Sequence, residues 1–291
     1  MGVIIANFAL GYCIDSDDYL RRAVVSLHGL LKESDARPER VFFLLPQRLE
    51  HTLYSVLRRL PSLSHLQPKV LRLEEEPLAF LHVDKWASRA TYGRLLFPLL
   101  VKDLTSSLLY LDADTFPVAP IDPLLKEFEV LRSSDCVIAA VQWSPGANHL
   151  DRLTSLGVNL DQHFSAGVLL FDVPGWNKIN GTATAMELAT TYGKRLEYWD
   201  QDVLNIQFGD HYLRLPPRYN CLPWAMPPDP AIIHFAGPLK PTAIPAGLPL
   251  ENDFFKVWVS TFRAPRRAIV KIIRMLGLLF FGLRGLTSRA R

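Results

Sequence analysis

The chain has 291 residues, 49% of them hydrophobic and 21% charged, a balance that supplies a sizeable core and excludes disorder of the bulk, collagen, coiled coil and disulfide scaffold. The net charge of +3 conceals an asymmetry: residues 263–291 hold eight of the 32 Lys and Arg and no acid, leaving 24 bases against 29 acids, or −5, over residues 1–262. A mildly acidic body without a base-reading module argues against nucleic acid as a partner.

In chain order, Ala6–Ile14 reads as a first strand and Asp18–Lys32 as a helix, with Leu20, Val24, Leu27 and Leu31 on one face. Arg40–Leu45 is a short apolar strand, and Gln47–Leu60 a second helix stopped by Pro61. Lys69–Leu73 follows as a third strand, Ala87–Leu100 reads helical despite Pro98, and Leu108–Leu111, Cys136–Val141 and Gly167–Phe171 are further strands. Trp143–Gln162, between two of these, has loop composition and is a candidate lid. From Leu215 onward prolines dominate, which predicts irregular chain wrapping one edge of the domain. Alternation of strands and helices predicts an α/β layered fold. Cys13, Cys136 and Cys221 are widely spaced without a C-x-x-C, indicating neither a zinc site nor a disulfide framework.

Met1–Leu10 lacks a basic n-region, so a cytoplasmic location is expected. At the other end, the longest charge-free run, Met275–Leu283, is far short of the roughly 20 residues a spanning helix needs. Arg267, Lys271 and Arg274 recur at helical spacing, while Ile269, Ile272, Ile273, Leu276, Leu279 and Phe280 fill the remaining surface. That is the pattern of a basic amphipathic helix lying on an anionic membrane surface, the alternative being a C-terminal core helix with a solvated basic edge, against which Leu278–Phe281 is wide for one face. The expected organisation is therefore a catalytic domain over 1–262 and a membrane-associating tail over 263–291.

The chemistry centres on Ser107–Pro117, SLLYLDADTFP, in which an apolar strand ends in Asp112-Ala113-Asp114. Alternation sends i and i+2 to one side of a strand, and the strand ends of an open α/β sheet are where ligands bind. Two carboxylates so placed repel unless a cation lies between them, which points to a hard divalent metal. Taken alone, the same motif also fits a turn with a capping aspartate.

Six ordered segments extend the motif: Ile14–Tyr19 (IDSDDY), Tyr92–Pro98 (YGRLLFP), Tyr110–Thr115 (YLDADT), His163–Asp172 (HFSAGVLLFD), Asp200–Asn205 (DQDVLN) and His234–Pro241 (HFAGPLKP). Together they resemble glycosyltransferase family 8, the retaining enzymes that include bacterial lipopolysaccharide galactosyltransferases and glycogenin. The resemblance implies a single GT-A-type nucleotide-sugar-binding domain with a mixed central sheet flanked by helices. It also implies that Asp112, Asp114 and His234 bind Mn²⁺ rather than Mg²⁺, an imidazole beside carboxylates suiting the former. Gly237 and Lys240 would face the donor's phosphates, and Arg94 its phosphate or sugar. Tyr19 would stack on uracil, with Ser16 and Asp18 reaching base and ribose; Ser16 stands where the family usually has Asp or Asn. Ser165, Ala166 and Gly167 would contact the sugar, Ser165 replacing the common Asn. Asp200 and Gln201 would lie nearest the anomeric carbon, Asp200 holding sugar hydroxyls and Gln201 stabilising positive charge. A carboxamide is a poor nucleophile, which favours front-face attack over double displacement.

The implied activity is transfer of a hexose from a UDP-sugar to a saccharide or glycolipid hydroxyl, the basic tail favouring an acceptor held at a membrane. A self-glucosylating primer like glycogenin and a catalytically inactive glycan-binding relative are the alternatives. A phosphatase of the haloacid dehalogenase type is disfavoured, because Phe116 occupies the position where its Asp-x-Asp-x-Thr/Val motif needs Thr or Val.

Overall fold

The computed structural model describes residues 7–74, 76–84 and 88–236, so Gly237, Lys240 and the predicted tail lie outside the described residues. Its strands are β1 (Ala9–Cys13), β2 (Arg40–Leu45), β3 (Lys69–Arg72), β4 (Ser107–Leu111), β5 (Thr115–Pro117), β6 (Ile138–Gln142), β7 (Phe164–Asp172), β8 (Leu213–Leu215) and β9 (Ile232–His234). Seven form one sheet in the order β3-β2-β1-β4-β7-β6-β8, while β5 and β9 pair separately. Within the large sheet β7 runs antiparallel to β4 and β6, and the other pairs are parallel.

Parallel strands covered on both faces must be apolar on both, which is why β2 reads RVFFLL and β4 reads SLLYL. Alternation then sorts the residues. Leu10, Tyr12, Phe43, Leu45, Leu109 and Leu111 enter one core, and Ala9, Phe42, Leu44, Leu108 and Tyr110 enter the other. The first core is closed by α1 (Asp17–Glu33), α2 (Glu50–Leu57), α4 (Asp122–Leu125) and α5 (Glu127–Ser133). The second is closed by α3 (Gly93–Leu100), α7 (Val173–Lys178), α8 (Gly181–Tyr192) and α9 (Trp199–Phe208). The mixed α/β architecture expected from the sequence is thus present.

Local chemistry sets the element ends. The Ser16 hydroxyl caps α1 by accepting from the Tyr19 amide, and Asp17 and Asp18 place negative charge in its first turn, where the helix dipole favours it. Pro98 falls in the last turn of α3, so its missing N–H costs a single ladder bond.

Four expectations are corrected. Ala87–Leu100 is no single helix: a 3₁₀ turn over Arg89–Tyr92 precedes α3. Gln47–Leu60 likewise divides into a 3₁₀ turn, Gln47–Leu49, and α2, which ends at Leu57. The candidate lid 143–162 is more than loop, since α6 (Leu150–Ser155) buries Leu153 with Leu156 and Val158 in a small core of its own. The proline-rich stretch is not irregular throughout: it contributes β9, which contains no proline, and a 3₁₀ turn, Pro217–Tyr219, whose first position tolerates Pro217 because no helical N–H is needed there.

In the sheet β1 and β4 are neighbours, but the chain leaves β1 toward β2 on one side, whereas β7 flanks β4 on the other. This reversal opens a crevice at the carboxyl ends of β1 and β4.

Candidate functional site

Asp112 and Asp114 leave the end of β4 in a tight turn, not in an extended strand. The Thr115 amide donates to the Asp112 carbonyl at 3.0 Å and the Thr115 hydroxyl at 2.7 Å, so the turn brings the carboxylates together where strand alternation was expected to do so. Buried hydroxyls of Tyr12, Ser26 and Thr115 run in sequence behind it, Tyr12 to Ser26 at 3.0 Å and Ser26 to Thr115 at 3.5 Å, tying the turn to β1 and α1.

The chain emerging from the turn is β5, and its antiparallel register with β9 sets Thr115 opposite His234. The Phe235 amide closes the arrangement by donating to the Asp114 carbonyl at 2.9 Å. His234 Nε2 consequently lies 3.5 Å from Asp114 Oδ1 and 3.7 Å from Asp112 Oδ2. One potential ligand atom from each residue falls within 4.8 Å of the others. Space for the imidazole comes from Gly167, where a Cβ would stand 2.3 Å from His234 Cε1. The Gly167 carbonyl also accepts from the Asp112 amide at 2.8 Å.

Next to this trio lies a buried charge network. Arg94 Nη2 donates to Asp112 Oδ1 at 2.7 Å and Nη1 to the Ala166 carbonyl at 2.6 Å, while Nε stands 2.7 Å from Asp200 Oδ2. That last contact is close but poorly aligned, a Coulombic pair with neither atom directed at a hydrogen-bond partner. Thr91 donates to the other Asp200 oxygen, and the Tyr110 hydroxyl donates to Asp112 at 2.9 Å. Burial pushes the Asp200 carboxyl up to about 6, against the opposing pull of Arg94 and the Thr91 hydrogen bond. Gln201 Oε1 accepts from the Ala166 amide at 3.1 Å, which holds its side chain against β7.

The turn before α9 is strained. Trp199, immediately ahead of Asp200, has φ 42°, in the left-handed region that costs a non-glycine residue about 1–2 kcal/mol. Asp202 holds it there: its fully buried carboxylate accepts from the amides of Glu197 (2.9 Å) and Tyr198 (3.0 Å) and from Arg152 of α6 (2.7 Å).

The sequence model of glycosyl transferase family 8 matches residues 10–241. The chain belongs to this family. It is 27% identical over 219 residues to a lipopolysaccharide 1,2-glucosyltransferase of Escherichia coli, an alignment covering 74% of this chain and 63% of that protein, less than two thirds of its length. It is 26% identical over 222 residues to general stress protein A of Bacillus subtilis, covering 63% of this chain and 75% of that one. Among solved structures, the galactosyltransferase LgtC in complex with donor and acceptor sugar analogs superposes with a TM-score of 0.73 at 20% identity, over 89% of this chain and 98% of that one, a likeness of fold.

Of the family 8 residues expected from the sequence, the structure gathers Arg94, Asp112, Asp114, Ser165, Ala166, Gly167, Asp200, Gln201 and His234 into one connected cluster. Ser16, Asp18 and Tyr19 form a second group at the start of α1, beyond the neighbouring strand β1. There Asp18 pairs with Arg22, whose guanidinium lies 5.0 Å from the centre of the partly exposed Tyr19 ring. Arg94 is buried between two carboxylates, not displayed on a helix surface.

Sequence reasoning overlooked Asn220, which lies in the proline-rich stretch. Its Oδ1 sits 2.9 Å from His234 Nδ1, and its Nδ2 donates to the Ser165 hydroxyl at 3.1 Å. It also assigned no part to Thr91 or to the Arg152–Asp202 pair. Asp135, Cys136 and His211 form a further group of potential ligands, but Asp135 and Cys136 precede β6 and His211 precedes β8, at the opposite end of the sheet, and Asp135 and His211 are exposed.

Proposed function

We propose that this chain is a metal-dependent retaining glycosyltransferase that moves a hexose from a UDP-sugar to a hydroxyl of a saccharide or glycolipid acceptor. The observation that carries this reading is the convergence of Asp112, Asp114 and His234 beside Arg94, Asp200 and Gln201 at the carboxyl ends of β4 and its neighbours. Two carboxylates and an imidazole fit Mn²⁺ better than Mg²⁺. When bound, the cation supplies Lewis-acid stabilisation of the diphosphate leaving group.

The side chains divide the remaining tasks. Arg94 shares its charge between Asp112 and Asp200, fixing the separation of the metal-facing carboxylate from the one assigned to the sugar. Asp200 is pinned by Arg94 and Thr91, which suits it to orient sugar hydroxyls and leaves it poorly placed as a free nucleophile. Gln201 is neutral, with its amide held by β7, and serves to stabilise positive charge at the anomeric carbon. Front-face displacement is therefore favoured. Tyr19, Ser16 and Asp18 are assigned to the nucleoside, Gly237 and Lys240 to the diphosphate.

Residues 1–262 constitute the catalytic domain in this reading. Among the described residues no helix is long and apolar enough to cross a membrane. The basic pattern of residues 263–291 supports peripheral attachment to an anionic cytoplasmic leaflet, beside a lipid-borne acceptor.

The test is a donor panel of UDP-Glc, UDP-Gal, UDP-GlcNAc, UDP-GlcA and UDP-Xyl, read as UDP release with Mn²⁺. Turnover with a preferred sugar, abolished by EDTA and restored by Mn²⁺, is expected. Absence of both UDP release and Mn²⁺-dependent UDP binding refutes the proposal.

A further inference from the structure

A histidine binds a metal only through a ring nitrogen that carries a lone pair, and the hydrogen bond made by the other nitrogen decides which one that is. His234 turns Nε2 toward Asp112 and Asp114 and Nδ1 toward Asn220 Oδ1, 2.9 Å away. Both side chains are buried, so no solvent competes for Nδ1. The carboxamide has its own anchor: Nδ2 donates to the Ser165 hydroxyl, which also lies 3.5 Å from the Gly167 amide. With the amino end engaged by Ser165, the carbonyl end faces the imidazole and requires a proton on Nδ1. The lone pair then resides on Nε2, aimed at the two carboxylates.

Backbone bonds keep the partners in register. The Cys221 amide donates to the Ile232 carbonyl and the His234 amide to the Cys221 carbonyl, each at 2.8 Å, so the strand bearing Asn220 lies alongside β9.

We propose that Asn220 is a positioning residue for the metal centre, holding His234 in the Nδ1–H tautomer and presenting Nε2 to the cation. The Ser165 hydroxyl supports the carboxamide by accepting from its amino end. The serine that departs from the family's usual Asn at this position thereby acts on the metal ligand, from a place expected to act on the sugar. This inference rests on reading Asp112, Asp114 and His234 as a metal site.

Two measurements test it. In the metal-free protein, ¹⁵N NMR of His234 should show Nδ1 protonated and hydrogen-bonded; a bare Nδ1 with the proton on Nε2 overturns the proposal. Calorimetric titration with Mn²⁺ should show affinity falling about 10- to 100-fold in Asn220→Ala, the usual loss when a ligand's orienting partner is removed. Asn220→Asp keeps an acceptor for Nδ1–H and should bind Mn²⁺ within a few-fold of the native protein. Affinity unchanged in Asn220→Ala, or lost equally in a folded Asn220→Asp, overturns the proposal. If the native protein itself binds no Mn²⁺, the metal reading fails, and the NMR tautomer still judges the hold of Asn220 on His234.

Discussion

Replacing Gly167 by alanine adds one methyl group where the proposed metal centre has no room for it. The new Cβ would lie 2.3 Å from His234 Cε1, 2.4 Å from Nδ1 and 3.1 Å from Nε2. Ordinary carbon contacts begin near 3.5 Å, so the imidazole must retreat by about 1 Å. Metal–ligand distances tolerate only about ±0.2 Å, so on the proposed reading a histidine displaced this far no longer reaches the cation, even if the fold absorbs the methyl. Overpacking of this kind costs about 1–3 kcal/mol. The retreat also presses on Asn220, which holds Nδ1 at 2.9 Å. Gly167→Ala should therefore remain folded with a modestly lowered Tm, and its Mn²⁺ affinity by calorimetry should fall at least 10-fold. Native Mn²⁺ affinity in this variant refutes the placement of His234 against Gly167 and the ligand role built on it.

Three further outcomes are expected. With its carboxyl raised to about 6 in the fold against 3.8 when unfolded, Asp200 binds its proton more tightly in the native state. Its contribution to stability is therefore greatest in acid and declines as pH rises through 6, so between pH 7 and pH 5 the native protein should gain about 1.4 kcal/mol relative to Asp200→Asn in urea unfolding; parallel pH profiles would contradict the burial argument. Asp202→Ala frees the strained Trp199 turn and leaves Arg152 without its buried partner, so kcat should drop at least 10-fold while Mn²⁺ affinity stays native, and loss of both together would show a general collapse. Deleting residues 264–291 should abolish sedimentation with anionic liposomes and leave turnover on a soluble acceptor intact; retained liposome binding argues against the role proposed for the tail.

The sheet was legible because its strands are buried on both faces, and an apolar run such as RVFFLL has few other uses. The gathered residues of the site were named through the resemblance to family 8, since Asp112-Ala113-Asp114 taken alone also fitted a capped turn. Less readable were helices whose apolar stripe is interrupted: α8 and α9 bury Thr182, Asp202 and Asn205 among their apolar residues and show no clean periodicity. Asn205 illustrates the difficulty, as its side chain bonds both backbone groups of Phe164 and no local pattern encodes a partner so distant in sequence. Asn220 was invisible for the same reason, its meaning depending on the pairing of β9 with β5. Composition could not show that the turn after β4, and not the strand, brings Asp112 and Asp114 together.

The pairing of β5 with β9 also bears on how the protein is made. The strands of the large sheet end at Leu215, so a nascent chain emerging up to that point already contains every strand of that sheet and both aspartates, but not His234. His234 is therefore synthesised after every strand of the large sheet and after β5, the strand it pairs with. On the proposed reading, a chain that stops short of β9 carries both carboxylates of the metal site and lacks its imidazole.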